Sequence, residues 1–409
     1  MARFPNGFLW GSSTNAQQFE GGWNKGGKGV SIADVRKVSI MGTDTAPAHF
    51  DDFKVASDHY HHLEDDIAWY GKMGFTLYRF TISWSRIYPT GYEENPNEEG
   101  LAFYDRMITE LEKYHINPVA TLYAYDMPQE LSEKYSGWLD RRVVDAYLKY
   151  ARTVITRYKG RIKFWIPFNE QNCIILDQGY MTGYQAKDEN EKIQITHNFN
   201  IAWALCTKLV HEIDPAAKTG GNLMNVCPYP ETCDPADVEA ADRMMMSLGY
   251  SFGDLFCRKM YSPYFINYVA GGQRNLDNIL LPGDLEAIAQ AEPDFLSITY
   301  YMNNVISTKK KGKGMMMSVA NPYTEQTEWG WNIDPYGFQR FIEDFWHRYQ
   351  MPILITENGL GHTDTLEADG TVKDDYRIKY LADHIERMGH AVANGAKVVG
   401  YLTWSAIDL

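Results

Sequence analysis

Short runs rich in β-branched and aromatic residues recur along this chain and alternate with longer stretches of helical period. The runs fall at residues 7–10, 75–80, 118–123, 164–168, 217–220, 295–301, 353–356 and 398–404. Brief runs that are apolar on both faces suit buried parallel strands better than half-exposed antiparallel ones. Between them, stretches such as 143–155 and 376–388 carry apolar residues at the spacing of an amphipathic helix. Alternating β and α elements with eight such strands predict the α/β class and, within it, a (β/α)8 TIM barrel. No linker divides the 409 residues, and barrels of this type grow past ordinary domain size as one unit, so the chain reads as a single domain, 1–409. Polar loops at 188–192, 309–327 and 361–373 read as insertions at one face.

Composition narrows the function classes. Apolar residues make up 44% and charged residues 22%, enough for a large core and far from a disordered chain. A formal net charge of −14 argues against nucleic acid or an anionic membrane as partner. The basic run 309–313 reads as a solvated loop. The five cysteines, Cys173, Cys206, Cys227, Cys233 and Cys257, show neither C-x-x-C pairs nor metal-ligand spacing, which suits reduced thiols. The first residues lack the apolar region of a signal peptide, and no stretch approaches a membrane span, so a cytoplasmic protein is expected.

The chemistry gathers where strands end. The run 163–168 leads into Asn169 and Glu170, and 352–356 leads into Glu357, Asn358 and Gly359. A barrel's active site lies at the carboxyl ends of its strands. Arg79, Asp126, Asn169, Glu170, Tyr301, Glu357 and Trp404 all fall at or near such ends. Two glutamates converging on one rim are the arrangement that glycoside hydrolysis needs.

Several motifs, in order along the whole chain, make the resemblance specific. They are residues 8–21, Asp58 to His61 with Glu64 and Asp65, 78–87, Asn169-Glu170, 329–331 with Asp334-Pro335, 356–359, and Gly400-Tyr401 with Trp404-Ser405. In these the chain resembles glycoside hydrolase family 1, the β-glucosidases and 6-phospho-β-glycosidases. The resemblance implies a retaining mechanism with Glu170 as general acid/base and Glu357 as nucleophile, the latter oriented by Arg79 and Tyr301. It makes Gln18 and Asn169 ligands of sugar hydroxyls, with Asn169 at the 2-hydroxyl. Trp404 becomes the platform beneath the glycone and Trp331 the wall of the aglycone site. No metal or cofactor is implied; His59, His61 and His62 sit in the family's His-containing segment.

The chain departs from the family twice. The third strand ends Ala124-Tyr125-Asp126, where the family has His, an aromatic and Asp. Ala124 thus replaces the donor to the glycone 3-hydroxyl, a loss on the order of 1–3 kcal/mol in binding. The chain also stops at Leu409, so the helix after the eighth strand is expected to be missing. Asp408-Leu409, 227–233 and 297–302 lean toward the phospho branch. The expected activity is therefore hydrolysis of a small-molecule β-glucoside, in first place a 6-phospho-β-glucoside. The alternatives are an unphosphorylated β-glucosidase and, from another class, a catalytically impaired sugar-binding relative. The sequence leaves the oligomeric state open.

Overall fold

In the computed structural model, which describes residues 4–36, 53–314 and 316–407, eight parallel strands close into a barrel. They are β1 (Leu9–Ser13), β2 (Leu77–Thr81), β3 (Asn117–Thr121), β4 (Phe164–Ile166), β5 (Lys218–Met224), β6 (Phe295–Tyr300), β7 (Ile353–Asn358) and β8 (Val398–Trp404). Each pairs with its successor, and β8 returns to β1 with Leu9 opposite Gly400 and Ser13 opposite Trp404. The expected TIM barrel is the observed fold.

Every predicted strand is present; the eighth, 398–404, keeps its predicted ends and the others shift. The first begins at Leu9 rather than residue 7 and runs on through Gly11, Ser12 and Ser13. Those residues are not apolar, but they fit inside the barrel wall. The Ser12 hydroxyl donates to the Thr403 carbonyl at 2.9 Å and the Ser13 hydroxyl to that of Thr356 at 2.5 Å. The fifth strand likewise extends to Met224.

One expected loop is not a loop. Residues 188–192 open the long helix Glu189–Ile213, with Asp188 as its N-cap accepting from the Glu191 N–H. Asp188 satisfies an orphan donor of the first turn, which is why a polar run starts a helix here. The other two segments do lie at the carboxyl-end face, after β6 and β7. The predicted helices 143–155 and 376–388 fall within Arg141–Arg157 and Asp375–Ala393. The first buries Val143, Val144, Tyr147, Tyr150, Ala151, Val154 and Ile155, one apolar stripe at helical spacing.

Inside the barrel Leu77, Val119, Ile166, Phe295, Leu354 and Leu402 pack together as one apolar plug. Side chains alternate along a strand, so residues two further on face the same interior. From β2, β3, β6 and β7 these are Arg79, Thr121, Ser297 and Thr356, all buried. The apolar plug therefore gives way to a polar layer at the carboxyl ends. A larger core lies between barrel and helices. No helix among the described residues is long and apolar enough to cross a membrane. Met315, Asp408 and Leu409, the last two part of the substrate reading, lie outside the described residues.

Candidate active site

Glu357 stands on β7 beside an irregularity that aims it. Ile355 pairs with Ile298, but the next partner of β6, Thr299, meets Glu357 instead of Thr356. This bulge brings a residue of the outward parity into the inward register. Its carboxylate accepts from Arg79 Nη1 at 2.5 Å and from the Tyr301 hydroxyl at 2.5 Å. Arg79 is itself fixed: Nε donates to the Thr121 hydroxyl at 2.8 Å and Nη2 to Asn169 Oδ1 at 2.5 Å. Both oxygens of Glu357 are thus occupied, one by a guanidinium, and the residue is buried. The guanidinium–carboxylate contact is a charge-assisted bond, short and geometrically specific.

Glu170 stands across the layer in a different setting. It follows β4 in the left-handed region, at φ 40°. The Asn222 side chain accepts from its N–H at 2.6 Å, which helps hold that backbone. The Thr299 hydroxyl donates to Oε1 at 2.5 Å, and the Tyr125 hydroxyl lies 3.4 Å from Oε2. The Cys173 thiol is 3.8 Å from the same oxygen. The residue keeps some exposure, but its carboxyl is desolvated. Burial first, and then repulsion from Glu357, push its pKa up to about 7 against the lowering pull of Thr299, Arg79 and Tyr125. Two carboxyl groups in one site, held by such different partners, suit chemistry that asks different work of each.

The other predicted residues are distributed as follows. Asn169 joins the network through Arg79 and also donates to the Tyr125 hydroxyl at 3.3 Å. Tyr301 packs edge-on against Trp331, with ring centroids 5.7 Å apart. Trp331 therefore extends the cluster from the Glu357 side toward the loop after β6. Trp404 ends β8, and its carbonyl lies 2.0 Å from where a side chain on Gly359 would begin. Only glycine fits beside it, which accounts for the last residue of the 356–359 motif. Gln18 is on the short helix Ala16–Phe19 after β1. Its side chain is bonded to that of Asn15, and no described hydrogen bond ties it to either glutamate.

Comparison with known proteins decides the family. The description "Glycosyl hydrolase family 1" matches residues 1–409. The chain belongs to glycosyl hydrolase family 1. An aryl-phospho-β-D-glucosidase of Bacillus subtilis (strain 168) is 40% identical, aligned over 100% of this chain and 88% of its own. A phospho-cellobiase of Klebsiella oxytoca is 38% identical over 100% and 89%. The solved family 1 β-glucosidase from Thermotoga maritima superposes with a TM-score of 0.86 at 30% identity, covering 99% of this chain and 89% of that one.

As a member of that family the chain is a glycoside hydrolase, and its site contains groups that the sequence reading did not single out. Thr299, Tyr125, Asn222, Thr121 and Cys173 all touch the two glutamates or their immediate partners. Thr299 sat in plain view within the sixth strand, four residues on from the inward Phe295, and the period of two would have found it. Tyr125 stands at the aromatic position of the motif that ends the third strand, but nothing in that motif shows its bond to Glu170 or its backbone at φ 65°. Ala124 is buried beside it and has no polar side-chain atom to offer a sugar.

Proposed function

We propose that this glycoside hydrolase cleaves 6-phospho-β-glucosides by double displacement with net retention. Glu357 attacks the anomeric carbon while Glu170 gives its proton to the departing oxygen. A water then attacks the glycosyl-enzyme, Glu170 takes the water's proton, and Glu357 leaves. Arg79 and Tyr301 orient the nucleophile. Asn169 and Gln18 take sugar hydroxyls, Trp404 lies beneath the glycone and Trp331 beside the aglycone. The observation that carries the reading is the contrast between the glutamates: one bonded by a guanidinium and a phenol, the other with its carboxyl desolvated and pushed up to about 7. The phospho-substrate draws its support from relatives at 40% and 38% identity, both named for phosphorylated glucosides, against 30% for the β-glucosidase of Thermotoga maritima.

The test is hydrolysis of a chromogenic β-glucoside and its 6-phosphate, side by side, with the product anomer followed by NMR. Faster cleavage of the phosphate with β-product first released supports the proposal; preference for the plain glucoside moves the chain to the other branch. Glu357→Gln is expected to abolish turnover, at least 10³-fold in order of magnitude. Glu170→Gln should slow substrates with poor leaving groups far more than those with activated aryl groups, because only the former need the proton. If neither sugar is cleaved by the folded parent chain, a sugar-binding role that Ala124 would help explain takes its place.

The pH profile has a defined sign. The acid must hold its proton, so kcat/KM should fall as pH rises through about 7, the value toward which burial and Glu357 push Glu170. An alkaline limb that stays below pH 6 would contradict the assignment.

A further inference from the structure

Tyr125 carries more bonding than packing requires. Its hydroxyl receives the Asn169 side-chain amide at 3.3 Å. It faces two acceptors, the Asn169 carbonyl at 3.2 Å and Glu170 Oε2 at 3.4 Å. A phenol has one hydrogen, so it serves one of those acceptors at a time. Which one it serves depends on Glu170. An ionised carboxylate is the stronger acceptor and draws the hydrogen. A protonated Glu170 offers its own O–H, which the phenol can accept once its hydrogen has turned to the carbonyl.

The backbone around Tyr125 is built to hold that hydroxyl in place. The residue sits at φ 65°, a conformation that costs energy in a non-glycine residue and persists where its surroundings impose it. Arg36 imposes it here. One guanidinium nitrogen donates to the Tyr125 carbonyl at 2.8 Å and to the Tyr180 carbonyl at 3.1 Å, and the other donates to Gln17 Oε1 at 3.0 Å. The same guanidinium lies 3.7 Å over the Tyr180 ring, and the Tyr125 and Tyr180 rings meet edge to face at 5.4 Å. One cation thus ties the loop after β3 to the helix Gln178–Thr182 and fixes the ring between them.

We propose that Tyr125 is a positioning residue for the acid/base: its hydroxyl donates to Glu170 Oε2 when that group is a carboxylate, and turns to the Asn169 carbonyl when Glu170 holds its proton. The proposal rests on Glu170 being the acid/base. No proton leaves the phenol. Burial and the neighbouring carboxyls push Tyr125 well above the ordinary phenol range, so it stays a donor throughout. The groups around the pair are Glu357 from β7, Arg79 from β2, Tyr301 after β6, Cys173 from the turn after β4, Tyr180 and Arg36. Of these, Arg79 and Tyr301 are already bonded to Glu357. Thr299 holds the other oxygen of Glu170. Two donors are left for Oε2: the Cys173 thiol at 3.8 Å, a weak donor that also faces Met224 Sδ, and the Tyr125 hydroxyl at 3.4 Å, the stronger donor and the one that chooses between two oxygens.

The experiment is the pH dependence of kcat/KM in Tyr125→Phe, which keeps the ring and deletes the hydroxyl. Losing a donor to the carboxylate disfavours the ionised form. The alkaline limb is expected to move to higher pH by roughly half a unit or more, the scale of one ordinary hydrogen bond. A limb superimposable on the parent's overturns the proposal, because a purely structural role would change the height of the profile and not its position. Should Tyr125→Phe fail to fold, Tyr125→Leu makes the same test with another apolar side chain that has no donor. Glu170→Gln, run alongside, separates the two claims. If the limb survives in Glu170→Gln, the acid/base assignment is wrong; if it vanishes there but stays put in Tyr125→Phe, only the role of Tyr125 is wrong.

Discussion

Two buried acids near the rim show how differently one barrel can treat a carboxylate. Glu20 accepts from Arg86 Nη2 at 2.9 Å, from Arg86 Nε at 3.1 Å and from the Tyr104 hydroxyl at 2.5 Å. The two N-terminal motifs that suggested function, residues 8–21 and 78–87, are thus joined by a buried ion pair as well as by the site. Asp126 is the opposite case. It is buried, and neither of its oxygens has a hydrogen-bond partner. Desolvation raises its pKa from 3.8 to about 7 against the lowering pull of the nearby Ser83 side chain, with Glu20 adding to the rise. The unfolded chain gives up this proton near pH 4, the folded chain only near 7. The native state therefore binds the extra proton between those values, and stability falls as pH rises through that window and is level above it. The span from 3.8 to about 7 corresponds to on the order of 4 kcal/mol. Asp126→Asn keeps the shape and removes the ionisation. Its melting temperature relative to the parent should improve on going from pH 5 to pH 8. An offset that is the same at both values would show that the Asp126 charge is not the cause.

At the scale of elements, the strands whose interiors are apolar could be read directly, and those that solve the interior another way could not. The runs at 75–80, 295–301 and 353–356 landed on β2, β6 and β7 because Leu77, Phe295 and Leu354 serve the plug. β1 escaped its proper limits because Gly11-Ser12-Ser13 contributes fit and hydroxyls in place of apolar bulk. The rim residues Arg79, Asn169, Glu170, Tyr301 and Glu357 were recognisable from motif and strand end. What aims them was not: the bulge opposite Thr299 depends on register between strands far apart in sequence, and the left-handed turn at Tyr125 depends on Arg36. Gly11 offers the sharpest test of the wall. A methyl group there would begin 1.7 Å from the Leu77 carbonyl oxygen, a backbone atom of β2 that cannot swing aside. Gly11→Ala must part β1 from β2 and should cost at least about 3 kcal/mol, the upper range for overpacking a well-filled interior. Urea denaturation checks it, and an unchanged midpoint would mean that the two strands lie further apart than described.

For the whole molecule, the decisive fact is how many elements the site needs at once. Arg79 comes from β2, Thr121 from β3, Asn169 and Glu170 from the turn after β4, and Asn222 from β5. Thr299 comes from β6, Glu357 from β7 and Trp404 from β8. No half of the barrel contains Glu357, the Arg79 guanidinium and Glu170 together. A ligand of this site therefore binds the closed barrel and has nothing to hold in an opened one. Such a ligand stabilises the native state by RT ln(1 + [L]/Kd), about 2.7 kcal/mol at a hundredfold excess over Kd. If residues 1–409 form one cooperative domain, as we propose, the entire melting transition should shift upward as a unit. Differential scanning calorimetry with and without a competitive inhibitor of the chain's own turnover makes the measurement. One peak, displaced by a degree or more and keeping its shape, is the expected outcome. Two peaks, of which only one responds, would show that part of the chain melts independently of the barrel wall that carries Glu170 and Glu357.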